Sequence, residues 1–329
     1  MQYINNESYD PYFNMALEEH TVKFLDPGEE YFILWQNRPA VIIGKNQNAI
    51  EEVNLKYTKE HGIAVVRRLS GGGAVYHDLG NINFTFVVNY RPEDFNSIER
   101  FARAVVRALD RFGVKSEFTG RNDITIDGKK ISGNAQYLYK KRLLHHGTLL
   151  FDSDVTRLSE ALNVKIDKIS SKGVKSVKSR VTNIKEYLKQ DISVKEFKEL
   201  LAKYIFEVED QPFREYQLTA QDLENINRLR EDKYSTWEWN IGYSPEFDLT
   251  KSQRFDAGEV EVKLNVKDGM ITAIKFYGDF LSMRDVAEVE DILRGLYYRE
   301  EDIKKALSKV NLEEYFGKIC LHDLLNLIL

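Results

Sequence analysis

The sequence contains very little cysteine: Cys320 is the single thiol in 329 residues. One thiol excludes an intramolecular disulfide framework and any cysteine-rich metal cluster. Because free cysteine is usually a small buried apolar group, we expect Cys320 to lie in the core near the C-terminal end. A chain without disulfides is typical of the cytoplasm, which is the compartment we expect.

Long hydrophobic runs and a net positive charge are also missing. No apolar run approaches eighteen residues, so no membrane span is expected, and residues 1–7 lack the features of a secretory signal. The formal net charge is −5 and no nucleic-acid-binding motif is present, so we expect no nucleic-acid partner. One short segment is strongly basic and contains Lys165, Lys168, Lys172, Lys175, Lys178, Arg180, Lys185 and Lys189. It is either a solvated face of the protein or a surface that docks a partner or covers a phosphate.

Several motifs of well-known catalytic sites are absent. The chain has no G-x-x-x-x-G-K-[ST] phosphate loop, no G-x-G-x-x-G leading into a helix and no G-x-S-x-G nucleophile elbow. His145 and His146 are adjacent, but neighbouring strand residues point to opposite faces, so they could not easily bind one metal ion. We expect one histidine to face a ligand pocket and the other to face away.

The chain does contain an unusual glycine-rich segment, which reads RRLSGGGAVYHD over residues 67–78. Glycine lets the backbone turn sharply and lets a ligand approach the backbone N–H groups without a Cβ in the way. Arg67 and Arg68 add planar cations suited to phosphate or carboxylate. Because a β-like run follows over residues 82–88, the segment predicts an anion site on a loop between strands.

A second loop, KKISGNA over residues 129–135, repeats this combination of cations and glycine. Lys130 is either an exposed hairpin lysine or a compact cation that contacts two anions at once. At about 4 Å from a phosphate, an ammonium contributes on the order of 4 kcal/mol at an effective dielectric near 20. The residues alone therefore predict an enzyme with an anion-binding pocket on strand loops, and we expect the anion to be a nucleotide.

Periodicity, capping and turn signals predict an α+β chain. We expect helices at 11–25, 54–61, 97–112, 153–162, 182–189, 193–205, 219–231, 285–294, 300–309 and 321–328. We expect strands at 31–36, 40–44, 63–68, 82–88, 116–126, 129–151, 259–267 and 270–277. Asp127-Gly128 and Asp268-Gly269 are hairpin signals, while Asn96 with Glu99 and Ser193 with Glu196 fit capping boxes.

Five blocks of the chain resemble the lipoate–protein ligase A family, in the order in which that family carries them. They are residues 68–81, 121–123, 130–135, 145–150 and 172–183. The resemblance covers almost the whole chain. It implies a biotin/lipoyl ligase-like mixed-sheet catalytic domain with a small α+β C-terminal accessory domain. Residues 237–245 break the pattern of helices, so we expect these domains at 1–245 and 246–329.

The resemblance also implies an enzyme with two half-reactions. ATP, with Mg²⁺, would activate lipoate to lipoyl-AMP, and a lysine of an acceptor protein would then take the lipoyl group and release AMP. The implied acceptors are apo lipoyl domains of 2-oxoacid dehydrogenase complexes and the glycine-cleavage H protein. The segment 172–183 resembles the mobile loop that closes over the adenylate.

Matching positions carry over the family's site residues. Lys130 would be the catalytic residue that bridges the lipoyl carbonyl and the phosphate. With Lys130, the implied ATP-binding residues are Arg68, Gly73, Ala74, Val75, Tyr76, Asn122 and Asp123. With Lys130, the implied lipoate-binding residues are Ser70, Gly71, Gly72, Ala135 and His146. The resemblance leaves the metal ligands unassigned.

Other functions remain as alternatives. A biotin ligase shares the fold, but its Gly-Arg-Gly-Arg type loop is absent. An octanoyl or lipoyl transferase of the superfamily uses a cysteine nucleophile, and Cys320 is badly placed for that role. A non-catalytic lipoyl- or nucleotide-binding protein would not need Lys130. A nucleic-acid binder using the basic segment is the weakest alternative.

Overall fold

The structure is a computed structural model that describes residues 1–91, 98–154, 156–162, 180–241, 249–267 and 269–329. It is an α+β protein, as expected. Within these residues, no helix is both long enough and apolar enough to cross a membrane.

Strands and helices alternate irregularly along the chain. The strands are β1 (Gln2–Asn5), β2 (Tyr31–Trp35), β3 (Ala40–Ile43), β4 (Ala64–Arg67), β5 (Val75–His77), β6 (Asn81–Asn89), β7 (Glu117–Thr119), β8 (Asp123–Ile126), β9 (Lys129–Tyr139), β10 (Arg142–Leu150), β11 (Leu249–Phe255), β12 (Gly258–Lys267) and β13 (Met270–Gly278). The helices are α1 (Pro11–Lys23), α2 (Ala49–Glu52), α3 (Leu55–Glu60), α4 (Ile98–Arg111), α5 (Arg157–Ala161), α6 (Val194–Val208), α7 (Ala220–Leu229), α8 (Trp237–Asn240), α9 (Ala287–Leu293), α10 (Glu300–Leu307), α11 (Leu312–Phe316) and α12 (Leu321–Ile328).

A seven-stranded mixed sheet forms the centre of the larger domain, in the order β1-β2-β6-β10-β9-β8-β7. Only the β1–β2 pair is parallel, and the other neighbours are antiparallel. One face packs on α4 and α6, where Phe101, Val105 and Leu109 of α4 are buried as its apolar stripe predicts. The capping box of Ser193 and Glu196 begins α6, also as predicted. The box expected at Asn96 lies outside the described residues.

The other face of this sheet is covered by α1 and by a small three-stranded sheet, β4-β3-β5. Asp10 caps α1 and Pro11 occupies its first turn, as the sequence predicts. The glycine-rich loop connects β4 to β5, so it lies in the layer that faces the large sheet. A cavity between these two layers follows from this arrangement.

The strand prediction for residues 116–151 is only partly right. Asp127 and Gly128 do form a tight turn, with φ of 49° and 74°. However, the run 129–151 is two strands, because the chain reverses at Lys140 with φ of 54°. Lysine is not a turn residue, so the sequence carries no signal for this reversal. The run 116–126 is likewise interrupted at Gly120, where φ is 61°.

The C-terminal residues form a separate core. The antiparallel sheet β11-β12-β13 packs against α9 to α12 around Val262, Phe276, Leu293 and Phe316. Strands β1 and β11 and helices α2, α8 and α11 were not expected from the sequence, and residues 184–187 form a 3₁₀ turn where a longer helix was expected at 182–189. The domain boundary predicted at 245/246 lies outside the described residues and stays a prediction. Asp268, the first residue of the hairpin signal Asp268-Gly269, also lies outside them.

The expectation for Cys320 is wrong. Its side chain is exposed rather than buried in the core. Cys320 is the N-cap of α12, where Asp323 N donates to its Sγ at 3.5 Å and Sγ–H donates to Asp323 Oδ2 at 3.1 Å. A position that begins a surface helix needs an acceptor for the first N–H groups, and sulfur serves here.

Candidate active site

A row of side chains crosses five strands of the large sheet and forms the floor of the cavity. Trp35 on β2 is paired with Asn83 on β6, which is paired with Thr148 on β10. Gly133 on β9 donates its N–H to Thr148 Oγ1 at 3.2 Å, and it is paired with Asp123 on β8. All five residues line a cavity of about 330 Å³. Four strand spacings of roughly 4.8 Å separate the two ends of the row by about 19 Å.

The two ends of the cavity differ in chemistry. Met15, Trp35, Ile42 and Val75 give one end apolar walls. The other end carries ionic and polar groups: Arg121, Asn122, Asp123, Lys130 and Asp279. An apolar slot that leads to a charged end suits an amphipathic ligand with a long tail.

Lys130 reaches the cavity because β9 contains a bulge. The pairing with β8 shifts between Ile124 and Thr125, so Ile124 is paired with Ser132 while Thr125 is paired with Lys130. This extra residue turns Lys130 to the same face as Gly133 and Ala135, whereas strict alternation would place it on the opposite face. The Lys130 ammonium lies 2.7 Å from Asp123 Oδ1. Its side chain is 38% exposed, so it remains accessible to a ligand.

Gly133 and Asn122 allow the chain around Lys130 to pack closely. A Cβ at Gly133 would lie 3.0 Å from Lys130 Nζ and 3.2 Å from Cε, so the lysine stem crosses the space that glycine leaves open. Asn122 Nδ2 donates to the Asn134 carbonyl at 2.8 Å, and Asn134 N donates back to the Asn122 carbonyl at 2.9 Å. The Asn122 side chain therefore holds the β7–β8 turn against β9.

Arg68 organises the glycine-rich loop from inside. Its guanidinium donates to the carbonyls of Gly71 and Gly73 at 2.6 and 2.8 Å, and to the Ile42 carbonyl at 3.1 Å. Gly72 has a φ of 89°, which favours glycine. Burial lowers the pKa of Arg68 to about 10, so it stays charged at neutral pH. The cavity therefore has a fixed positive charge beneath a loop of backbone groups.

Arg67 does not reach this cavity, although the sequence places it beside Arg68. It turns to the other side of β4, where its guanidinium donates to the carbonyls of Gly44, Lys45 and Gln47 at 3.0, 3.0 and 2.6 Å. Burial lowers the pKa of Arg67 to about 10. We conclude that Arg67 ties loops together and that only Arg68 of the pair lines the site.

His146 and His145 lie on opposite faces of β10, as expected. His146 lines the cavity, where its Nδ1 contacts Glu18 Oε1 at 2.9 Å and its Nε2 lies 2.6 Å from Ser70 Oγ. Arg68 Nε donates to the same Ser70 oxygen at 3.1 Å. His145 instead stacks on Phe101 in the opposite layer. The hydrogen bonds that run from Glu18 through His146 and Ser70 to Arg68 hold the imidazole of His146 in one orientation.

Most of the predicted site residues meet at the cavity. Those that line it are Arg68, Gly72, Gly73, Ala74, Val75, Asn122, Asp123, Lys130, Ala135 and His146. Three others lie outside its wall. Ser70 is fully buried behind it, Gly71 faces Phe280, and the Tyr76 side chain packs with Val41 and Ile43 on the outer face of the small sheet. The roles of all these residues stay predictions.

The C-terminal domain supplies a wall that sequence reasoning missed. Asp279 and Leu281 line the cavity, and Phe280 O accepts from Gly72 N at 2.9 Å. Arg121, quoted only within a sequence block, donates to the Ala257 carbonyl and so links the two domains. Burial lowers the pKa of Arg121, and the nearby Asp279 opposes that effect. No motif marks Asp279 or Leu281, because their role depends on domain packing.

Two carboxylates, Asp123 and Asp279, line the charged end of the cavity. Across the described ranges, no group of three or more His, Cys, Asp or Glu residues could hold a metal ion.

In the basic segment, Lys185 is paired with Asp152 at 3.0 Å. Lys165, Lys168, Lys172, Lys175 and Lys178 lie outside the described residues. The expectation of a loop over the cavity therefore stays a prediction.

Comparisons with known proteins identify the family of this chain. Residues 10–206 match the lipoyl protein ligase A/B catalytic domain, and residues 244–328 match the bacterial lipoate protein ligase C-terminus. The chain is 48% identical to lipoate-protein ligase LplJ of Bacillus subtilis over 330 residues, which covers 100% of both chains. It is 46% identical to lipoate–protein ligase 1 of Staphylococcus aureus, with 98% of each chain covered.

Solved structures give the same result. The crystal structure of P. falciparum LipL1 in complex with lipoate matches with a TM-score of 0.78, 26% identity and 94% of each chain covered. Lipoate-protein ligase A bound with ATP matches with a TM-score of 0.65 and 31% identity, over 73% of this chain and 98% of that one. Since the match to the catalytic family covers more than half of the residues, the chain belongs to the lipoyl protein ligase A/B family.

Proposed function

We propose that the cavity is where this ligase joins lipoate to AMP, before it transfers the lipoyl group to an acceptor lysine. The single observation that carries the proposal is that Lys130, Arg68 and the glycine-rich loop line one cavity, which has a charged end and an apolar end. ATP is the second substrate. The charged end takes the nucleotide phosphates, and the apolar end takes the lipoyl tail.

Activation requires two anions to approach each other. The lipoate carboxylate attacks the α-phosphorus of ATP, an oxygen–phosphorus bond forms, and the bond to pyrophosphate breaks. The Lys130 ammonium can contact both anions, and a phosphate would compete with Asp123 for it. Backbone N–H groups of the glycine-rich loop and the buried Arg68 add fixed dipoles and charge where negative charge develops.

The tail of lipoate fits the apolar end. Trp35, Met15 and Ile42 lie there, and burial of four methylenes contributes roughly 3 kcal/mol at about 0.8 kcal/mol each. We assign Ala135 and His146 to this part of the site. Gly73, Ala74, Asn122 and Asp123 are assigned to the nucleotide.

Magnesium fits the site only as an ion shared with the substrate. Asp123 and Asp279 are carboxylates at the charged end, and Mg²⁺ commonly uses one or two carboxylates together with phosphate oxygens and water. When bound, the ion would neutralise phosphate charge. These two residues are the ligands that we propose.

The second half-reaction needs an acceptor amine. Its nitrogen attacks the lipoyl carbonyl, an amide bond forms, AMP leaves, and the amine loses a proton. We propose apo lipoyl domains of 2-oxoacid dehydrogenase complexes and the glycine-cleavage H protein as acceptors. The cytoplasm, where ATP is abundant, is the proposed compartment.

The test uses the purified chain, ATP, MgCl₂, lipoate and an apo lipoyl domain, with intact mass as the readout. We expect the acceptor to gain lipoyl mass only when ATP is present. Lys130→Ala should lose most turnover. Lys129→Ala is the matched control, because Lys129 is the exposed neighbour on β9 and does not line the cavity.

Other outcomes identify the alternatives. Octanoyl transfer from an acyl carrier without ATP would indicate a transferase, although Cys320 is exposed in the C-terminal domain and does not line the cavity. Unchanged turnover in Lys130→Ala would remove Lys130 from the catalytic role. Tight binding of lipoate without any adenylate would favour a binding protein.

A further inference from the structure

Thr148 is a polar residue of the cavity floor to which the proposed chemistry gives no role. It lies near the end of β10, is half-buried and lines the cavity. In the row of side chains that runs from Asp123 to Trp35, it occupies the middle position. A threonine hydroxyl has acceptor lone pairs and one O–H donor, so its two functions can be assigned separately.

The acceptor function of this hydroxyl is already in use. The backbone ladder between β9 and β10 ends at the pair of Asn134 and Gly147, and the adjoining Gly133 N donates to Thr148 Oγ1 at 3.2 Å. The Thr148 hydroxyl therefore continues the contact between the strands where the ladder stops. Its O–H has no acceptor among the described residues, and because the side chain lines the cavity, a ligand can supply one.

The Lys130 ammonium lies one strand away from this hydroxyl. A Cβ at Gly133 would be 3.0 Å from Lys130 Nζ, so the ammonium stands over Gly133. One strand spacing, roughly 4.8 Å, separates Gly133 on β9 from Thr148 on β10. The ammonium and the hydroxyl thus present two donors to the same part of the cavity. A carboxylate, which has two acceptor oxygens and no donor, matches such a pair.

The length of the floor indicates which anion reaches Thr148. Two strand spacings, roughly 10 Å, separate Thr148 from Trp35 at the apolar end. An extended chain advances about 1.2 Å per bond, so the seven bonds along an eight-carbon acid span about 8 Å. A carboxylate at Thr148 therefore lets its tail reach the Trp35 side chain. A phosphate at Thr148 would displace the carboxylate toward Trp35 and leave too little floor for the tail.

We propose that Thr148 is a catalytic residue, whose O–H donates to the lipoate oxygen that becomes the carbonyl oxygen of the adenylate. The other carboxylate oxygen then faces the α-phosphorus above Gly133, and it forms the new oxygen–phosphorus bond as pyrophosphate leaves. During transfer, the same hydroxyl stabilises the negative charge that develops on the carbonyl oxygen when the acceptor amine attacks. This inference rests on the proposed function, because it places both substrates in this cavity.

Three substitutions test the hydroxyl. Thr148→Val removes it and keeps the shape of the side chain, whereas Thr148→Ser keeps it. Thr272→Val is the matched control, because Thr272 lies on β13, donates to the Asn265 carbonyl at 3.2 Å and does not line the cavity. Calorimetry measures the Kd of lipoate and of ATP separately for each protein, and pyrophosphate release measures kcat/KM for each substrate.

The difference between the two substrates is the informative quantity. We expect Thr148→Val to raise the Kd of lipoate and to lower kcat/KM for lipoate roughly 10- to 150-fold, which is the factor that a hydrogen bond to a charged group supplies, while the Kd of ATP changes less than about 2-fold. Both constants in Thr148→Ser and Thr272→Val should stay within about 3-fold of the wild type, since neither variant loses that hydrogen bond.

Two results would overturn the inference. An unchanged Kd of lipoate in Thr148→Val would mean that the O–H does not contact the carboxylate. Equal weakening of lipoate and ATP would mean that the hydroxyl only supports Gly133 and Lys130, because a displaced ammonium affects both anions. If the wild type forms no adenylate at all, the proposed function fails instead, and the Kd of lipoate in Thr148→Val still tests Thr148.

Discussion

At the scale of single residues, the histidines of this chain show how burial changes chemistry. His77 and His145 are buried, and burial lowers the pKa of both below the ordinary value, for His77 to about 3. Neither ring takes up a proton in the folded protein near neutral pH. The unfolded chain does so near pH 6.5, so these residues make stability depend on pH.

This dependence has a definite sign. Below about pH 6.5 the unfolded state binds protons that the folded state does not, so the free energy of unfolding decreases as the pH falls. The slope is at most about 1.4 kcal/mol per pH unit for each such histidine. Urea unfolding at pH 7.5, 6.0 and 5.0 should show the loss in the wild type and a shallower loss in His77→Gln.

The control for this prediction is His61→Gln. His61 is exposed at the end of α3. In His61→Gln, the free energy of unfolding should change with pH as it does in the wild type. If the free energy of unfolding changed with pH equally in the wild type and in His77→Gln, His77 would already be protonated in the folded state or would not be buried.

At the scale of elements, strand β9 decides whether the site can work. Its bulge brings Lys130 to the cavity face, and Gly133 leaves the space through which the lysine stem passes. A Cβ at Gly133 would meet only the far end of a flexible side chain at 3.0–3.2 Å. The lysine can move aside, so the fold should tolerate the change better than the reaction does.

We therefore expect Gly133→Ala to lower turnover at least 10-fold while the free energy of unfolding changes by less than about 1 kcal/mol, the usual limit for a change that creates no cavity or buried charge. Adenylate formation and urea unfolding measure the two effects. Gly28→Ala, in the turn after α1, is the control for a glycine far from the site. Equal turnover in both variants would contradict the arrangement of Lys130.

The elements also differ in how far the sequence predicts them. Asp10 with Pro11, Asp127-Gly128 and Ser193 with Glu196 are local signals, and each gives the predicted cap or turn. The reversal at Lys140 and the bulge beside Lys130 have no such signal. They depend on which strands pair, and a lysine in a left-handed turn is accepted only because the pairing of β9 with β10 stabilises it.

At the scale of the whole molecule, the C-terminal domain contacts the glycine-rich loop directly. Gly71 lies so close to this domain that a Cβ there would be 2.5 Å from Phe280 O and 2.7 Å from Ser282 N. These are backbone atoms and cannot move aside singly. The neighbouring Gly73 has only Asp279 Cβ at 4.0 Å. Gly71 and Gly73 belong to one motif, but only at Gly71 does the backbone of the C-terminal domain leave no room for a side chain.

We predict that Gly71→Ala destabilises the protein by about 1–3 kcal/mol, the typical cost of overpacking, and reduces adenylate formation by separating the domain from the loop. Gly73→Ala should keep the wild-type stability, because the space beside it is open. Urea unfolding of both variants gives the comparison. Equal stabilities would show that the two domains are not held together at this loop.

The sequence by itself determined the family, the α+β class, the capped helices and the candidate role of Lys130, because motifs and caps depend on residues close together in the chain. Only the tertiary structure decided that Arg67 and Arg68 have separate partners, that Cys320 is exposed, and that Asp279 of the second domain faces the cavity. The physical reason is that these outcomes depend on strand pairing and domain packing, which bring together residues far apart in the chain, and local propensity carries no information about such contacts.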